Sequence, residues 1–297
     1  MELTRLANPT QPFPLFRLLA GSVCISFSPV FIKIAAVDPD LAGFYRMLFA
    51  GVGLSLITLL RREKLRVELW PVLFLIGCGI FLGLDFMCWH RSINLVGPGL
   101  STLLGNFQVF FTALFSWLFL RERITALFVL AVAMAFCGLL LIIGADFSSL
   151  TVEVKLGIFF GLLTAVFYSL YIMFMKQAMS GSKMSGSTAV LIVTICSLLF
   201  LGFLGLAKGI SFAVGDSRSL LALAAVGLIS TALGWSMIST AIRVIPATLA
   251  GLVLLLQPTL AFFWDVLFFK RPTGAYEYLG LLLILSAIYL GTLRRVK

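Results

Sequence analysis

Apolar runs of roughly 20 residues, the length a helix needs to cross the hydrocarbon layer of a bilayer, follow one another along almost the whole chain. Short segments holding Arg, Lys, Pro and Gly separate them. The pattern predicts ten helices, near residues 15–36, 41–60, 70–92, 97–120, 124–144, 156–178, 187–207, 219–242, 246–269 and 275–293. The fold class is therefore all-α, a polytopic membrane protein with ten transmembrane helices.

Polar positions inside these runs are few, so their spacing is informative. Residues 96–125 open with a Gly-Pro-Gly break, run apolar for a membrane length and stop at Arg121-Glu122-Arg123. Ser101, Gly105, Gln108 and Thr112 are spaced four, three and four apart, which places them on one face of a helix. Lipid cannot satisfy the Gln108 amide, so this face must turn toward other helices or water. Much the same stretch returns 149 residues later, at 245–274. Without a gap, Leu100 falls on Leu249, Gln108 on Gln257, Phe119 on Phe268 and Arg121 on Lys270; upstream, Phe86 falls on Trp235. Leucine matches are cheap in an apolar chain, but a glutamine at the same depth twice is not. The repeat divides the chain into two five-helix halves, residues 1–150 and 151–297. An odd number of spans per half turns one half over relative to the other, giving the inverted repeats found in many transporters.

Composition narrows the class. Of 297 residues, 61% are hydrophobic and 11% charged, more apolar surface than a soluble chain can bury. The net charge of +10 resides in short connecting segments, which makes it a topology signal and not a nucleic-acid surface. With a cytoplasmic N-terminus, fourteen Lys and Arg fall inside and seven outside, which favours both termini in the cytoplasm of a bacterial inner-membrane protein. Lys270 and Arg271 are the misfits. The five cysteines all lie in apolar runs without metal-type pairing, so they read as small core residues. The N-terminal segment, with its acidic residue and proline-rich steps, is not expected to act as a cleavable signal peptide.

Candidate chemistry sits in a handful of positions. Pro29 in the first helix predicts a kink. Arg46 in the second is costly inside a bilayer unless paired. It either snorkels to the nearby interface or contacts an anion, a carboxylate or a gate partner. The third helix presents Asp85, Trp89 and Ser92 on one face with His90 beside them, while Gly79 and Gly83 suit close packing. His90, the single histidine, cannot build a metal site alone. It is either interfacial or part of a titratable pair with Asp85 that would permit proton coupling. Tyr168 and Tyr171 share a face of the sixth helix, and Thr231, Trp235 and Ser239 recur every four residues in the eighth. In the ninth helix Pro258 follows Gln257 and frees a carbonyl one turn earlier, with Asp265 further on.

These features resemble the drug/metabolite transporter superfamily in its ten-helix form, built of two EamA-type halves. The residues that carry the resemblance are LAGFYRMLFAG with its arginine at Arg46, the junction LFLRERIT with Glu122 in the acidic position, and Lys33 and Lys176 ending the first and sixth helices. The chain departs from the pattern in lacking a proline near Gln108 and in carrying Arg271 where a glutamate is usual. The resemblance implies a basket of helices around a central cavity lined by helices one, three, four, six, eight and nine. The candidate lining residues are then Trp89, His90, Gln108, Tyr168, Tyr171, Trp235 and Gln257, with Arg46, Asp85 and Asp265 as gating or charge residues.

The expected function is a secondary transporter moving a small-molecule substrate across the lipid bilayer by alternating access. Amino acids or similar zwitterions come first, since aromatic faces and amides suit them. A cationic-drug exporter, using Asp85 or Asp265, is the main rival. A membrane enzyme would need clustered His, Asp or Cys, so no catalytic residue, metal or cofactor is expected. A channel would want a repeated polar ring without inverted halves. Nothing in the sequence fixes the oligomeric state.

Overall fold

The computed structural model describes residues 12–60, 62, 67–120, 125–144, 150–242 and 244–293. The Arg121-Glu122-Arg123 junction, Arg243 and the C-terminal Arg294, Arg295 and Lys297 lie outside the described residues. The elements are α1 (Pro12–Ser26), α2 (Ser28–Ala35), α3 (Pro39–Leu60), α4 (Leu69–Gly105), α5 (Gln108–Leu120), α6 (Ala126–Ile143), α7 (Val152–Met179), α8 (Gly186–Ala207) and α9 (Ser217–Ala225). A π-helical segment, Val226–Gly234, leads into α10 (Trp235–Ala241), followed by α11 (Ala247–Leu254), α12 (Leu256–Phe269) and α13 (Ala275–Leu293). Every described element is helical. Eight stretches are long and apolar enough to cross a bilayer, and Gln108–Phe119 and Ala275–Gly291 are shorter apolar helices. Together they match the ten expected spans.

Breaks fall where the backbone chemistry weakens, and one falls where it was not expected. The first span divides at Phe27, and Pro29 begins its second part in the first helical turn, where a missing N–H costs nothing. Gly97, with φ 86° and ψ 165°, separates the third span from the fourth inside α4. The fourth span breaks again at Asn106 and Phe107, between α4 and α5. The expected polar face through Ser101, Gly105, Gln108 and Thr112 is thus not continuous. Proline is absent there, but Asn106 donates its side-chain amide to the Thr102 carbonyl at 2.8 Å and competes with the helical ladder. The ninth span breaks at Leu255, two residues before Gln257. Positions 106 and 255 differ by the same 149 residues as the sequence repeat.

Glycine lets the helices approach. A Cβ on Gly79 would lie 2.9 Å from the Ser197 backbone nitrogen, and one on Gly161 2.7 Å from Leu104, so α4 meets α8 and α7 at backbone distance. The apolar interior is divided. One cluster joins Leu103, Leu104 and Phe107 to α6, α7, Phe262 and α13. A second joins Met47, Leu75, Phe86, Tyr171 and Val193. A third gathers Ile32, Ala42, Ile93 and Leu223, and a fourth holds Leu18, Ile238, Ala241 and Ala250.

Candidate functional site

The polar centre begins at Arg46, which is 4% exposed and well inside α3. A buried guanidinium in a membrane protein must find partners or water. Its Nε donates to Thr231 Oγ1 at 3.1 Å. That hydroxyl in turn donates to the Val226 carbonyl at 2.9 Å, five residues back, a carbonyl that the π-helical register presents to it. The guanidinium carbon lies 4.0 Å from the Phe86 ring centroid and 5.3 Å from that of Trp89. Nη1 is buried and has no partner.

Asp85 lies across from it on α4, 5% exposed and within electrostatic reach. Among the described residues its carboxylate makes no hydrogen bond or ion pair, and it does not touch Arg46 directly. The two charges share one depth. Arg46 is six residues along α3 from Asp40, and Asp85 is six along α4 from Arg91, while Asp40 and Arg91 form an ion pair at 2.6 Å. Six residues of helix put both about 9 Å beyond that pair. Snorkelling is not what Arg46 does, since its nitrogen turns to Thr231 and its face to Phe86.

Aromatic rings surround this level. Trp89, Tyr168 and Trp235 are half-buried and pack at the edge of the second apolar cluster, with Tyr168 also in electrostatic range of Arg46. Tyr171 is 6% exposed and sits within that cluster, its ring centroid 5.4 Å from that of Tyr168. His90 is fully buried. It shares Nδ1 with the Pro39 carbonyl at 3.0 Å and stacks on Phe86 at 5.9 Å, and Nε2 has no partner. It does not contact Asp85. Ser92 is turned to α7, donating to the Gly157 carbonyl at 2.8 Å. Ser239 is exposed, so the expected stripe of Thr231, Trp235 and Ser239 ends at the π-helical segment.

The paired glutamines stand at the two helix breaks. Gln108 Oε1 accepts from Thr112 at 3.2 Å, and its backbone carbonyl accepts from Ser169 at 2.9 Å. Gln257 is half-buried, and its side chain has no protein hydrogen bond among the described residues. The two amides do not bond each other. Asp265 is buried and faces two partners. It accepts from the Gly99 N–H at 3.0 Å and from Arg271 at 3.4 Å, which caps the helix restarting after Gly97.

One end of the bundle is joined by several long-range polar contacts. Asp40 holds both Arg91 and Lys208, the latter at 2.7 Å. Lys33 donates to the carbonyls of Ile93 and Asn94, Arg271 to that of Val96, Tyr45 to that of Phe212 at 2.7 Å, and Ser219 to that of Ala35 at 2.6 Å. The opposite end, where Glu68 accepts from the Lys183 N–H at 2.9 Å, is joined differently. There α10 and α11 pack on α1 around Leu18 and Ile238, in a cluster with no member on α4, α5 or α7. The residues that sequence reasoning undervalued are those making these long-range bonds. In the sequence Thr231 is only one of a stripe, Arg91 and Lys208 are topology charges, and Arg271 is a topology misfit and a departure from the resembled pattern.

A helical bundle of membrane-length spans with buried charges inside is the fold of a multi-pass membrane protein. The profile of the EamA-like transporter family matches the chain twice, over residues 13–144 and 155–293, and the chain belongs to that family. It is 26% identical over 262 residues to the uncharacterized transporter YvbV of Bacillus subtilis strain 168, covering 86% of this chain and 83% of that one. Identity to the uncharacterized transporter YxxF of the same organism is 23% over 234 residues, 77% of this chain and 74% of the other. A solved crystal structure superposes with a TM-score of 0.67 at 16% identity, over 97% of this chain and 100% of its own, which is a likeness of fold.

Proposed function

We propose that this chain is a secondary carrier moving small metabolites, amino acids or similar zwitterions first among them, across the bacterial inner membrane by alternating access. The observation that supports it best is a lattice of ion pairs and hydrogen bonds around Asp40 that joins the helices on one side of the buried Arg46 and Asp85. A carrier needs one closed and one open end around a central site, and a channel does not. The excess of basic residues in loops of the Glu68 end supports both termini in the cytoplasm, so the Asp40 end faces outward. The matching breaks at Asn106 and Leu255 favour two inverted halves, residues 1–150 and 151–297.

A second reading, export of organic cations, draws on the unpaired Asp85 carboxylate among aromatic rings. Exchange in proteoliposomes loaded with amino acids, nucleosides or quaternary amines separates the two. Saturable exchange of amino acids is expected. Exchange confined to quaternary amines selects the exporter, and a non-saturating, voltage-driven flux rejects the carrier.

A further inference from the structure

We propose that the central site is built for a zwitterion, with Arg46 taking the substrate's carboxylate and Asp85 its ammonium group. This rests on the carrier reading above and adds the chemistry of recognition to it.

Arg46 is 4% exposed, one nitrogen committed to Thr231 and another, Nη1, buried without a partner. Asp85 is 5% exposed and its carboxylate has no protein partner among the described residues. Two opposite charges this deep, at one depth and within electrostatic reach, would ordinarily close into an ion pair. Here they are held apart. Thr231 and the Phe86 face fix the guanidinium from two sides, and Asp85 sits in a helix anchored at its backbone, where Thr164 Oγ1 donates to the Asp85 carbonyl at 3.3 Å. A buried donor and a buried acceptor that leave each other unpaired suit a third party carrying both complements. A ligand with one charge leaves the other group desolvated and unpaired, a penalty that discriminates more strongly than any added contact. The planar guanidinium suits a carboxylate, which it grips through two N–H groups. The rings of Trp89, Tyr168 and Trp235, half-buried at the edge of the second apolar cluster, would give a small neutral side chain an apolar wall. The charges belong to the first half alone, because the repeat sets Ile195 at the place of Arg46 and Gly234 at that of Asp85.

The test is ligand titration of the purified full chain by tryptophan fluorescence and thermal shift. The probes are L-alanine, L-leucine and L-phenylalanine, each beside the amine that lacks its carboxylate and the acid that lacks its amino group. At least one amino acid is expected to bind, with both of its analogues tenfold or more weaker. Arg46→Gln should then abolish the preference for the amino acid over the amine, and Asp85→Asn the preference over the acid. An amine that binds wild type as tightly as its amino acid overturns the role of Arg46, and an equally tight acid overturns that of Asp85. Both comparisons use wild-type protein and stand even where a variant does not fold. If no probe binds while the proteoliposome screen finds another saturable substrate, the zwitterion site is wrong and the carrier reading survives. Absence of any saturable substrate removes both.

Discussion

Lys208 reaches from the second half of the chain to Asp40 in the first, Nζ to Oδ2 at 2.7 Å, on a carboxylate that Arg91 already holds at 2.6 Å. One acidic side chain thus ties α3, α4 and the end of α8 together. Asp40→Asn leaves both cations without their partner. The side chains of Arg91 and Lys208 are 26% and 43% exposed and can turn to water, so the loss of stability should stay near about 1–2 kcal/mol. Access should change more. With the five native cysteines removed, Gln108→Cys is expected to resist a membrane-impermeant thiol reagent added outside, and to react once Asp40→Asn is added. No change in labelling rate would show that the lattice does not hold the end closed.

Thr231 supports Arg46 through a single hydroxyl. Thr231→Val keeps the shape and removes that acceptor, leaving Nε buried without a partner, a loss of about 1–3 kcal/mol. Substrate affinity should fall about tenfold or more and return in Thr231→Ser, as read by titration of the purified variants. Equal affinity for Val and Ser would separate the hydroxyl from binding.

Gly227 brings the π-helical segment against α3. A Cβ there would meet the Phe49 side chain and lie 2.9 Å from the Arg46 carbonyl. Gly227→Ala should lower the melting temperature by the equivalent of about 1–3 kcal/mol, the usual range for overpacking. Arg46 would shift with the backbone, so binding should weaken in proportion. A melting curve identical to wild type would show that α3 can retreat freely.

Orientation is testable at the loops. Ser211 and Ser180 are both exposed, one in the segment after α8 and the other after α7. In whole cells an impermeant thiol reagent should label Ser211→Cys and spare Ser180→Cys. The reverse pattern would place the Asp40 end in the cytoplasm.

What the sequence makes legible is periodic and local. Each apolar run became a span, and the Gly97 and Pro29 breaks came where the backbone chemistry put them. The break at Asn106 was hidden because asparagine in an apolar run is read as a polar contact, and its side-chain bond to the Thr102 carbonyl depends on the helix already being there. The π-helical register of Val226–Gly234 leaves no mark in a run of small and apolar residues. Arg46 was conspicuous as a buried charge, but its partner Thr231 lies 185 residues away, beyond the reach of any spacing rule. Asp265 was conspicuous for the same reason, and one of its two partners, the Gly99 N–H, lies 166 residues away. Cost marks a residue as important without saying which neighbour meets that cost.

The interruptions at Asn106 and Leu255 bear on how force travels through this molecule. An unbroken helix is a stiff rod, and bending it sharply means giving up hydrogen bonds in its ladder. At these two joints part of the ladder has already been given up. In the carrier reading each rod would swing at its joint, like a forearm below an elbow, while its other portion stays clamped. The portion of α4 after Gly97 is clamped to α12 by Asp265, whereas α5 and α11 lie beyond the joints, toward the Glu68 end. Gating at that end then asks for the movement of short lever arms and not of whole membrane-length helices. The clamped portions would serve as the fixed posts against which those arms turn.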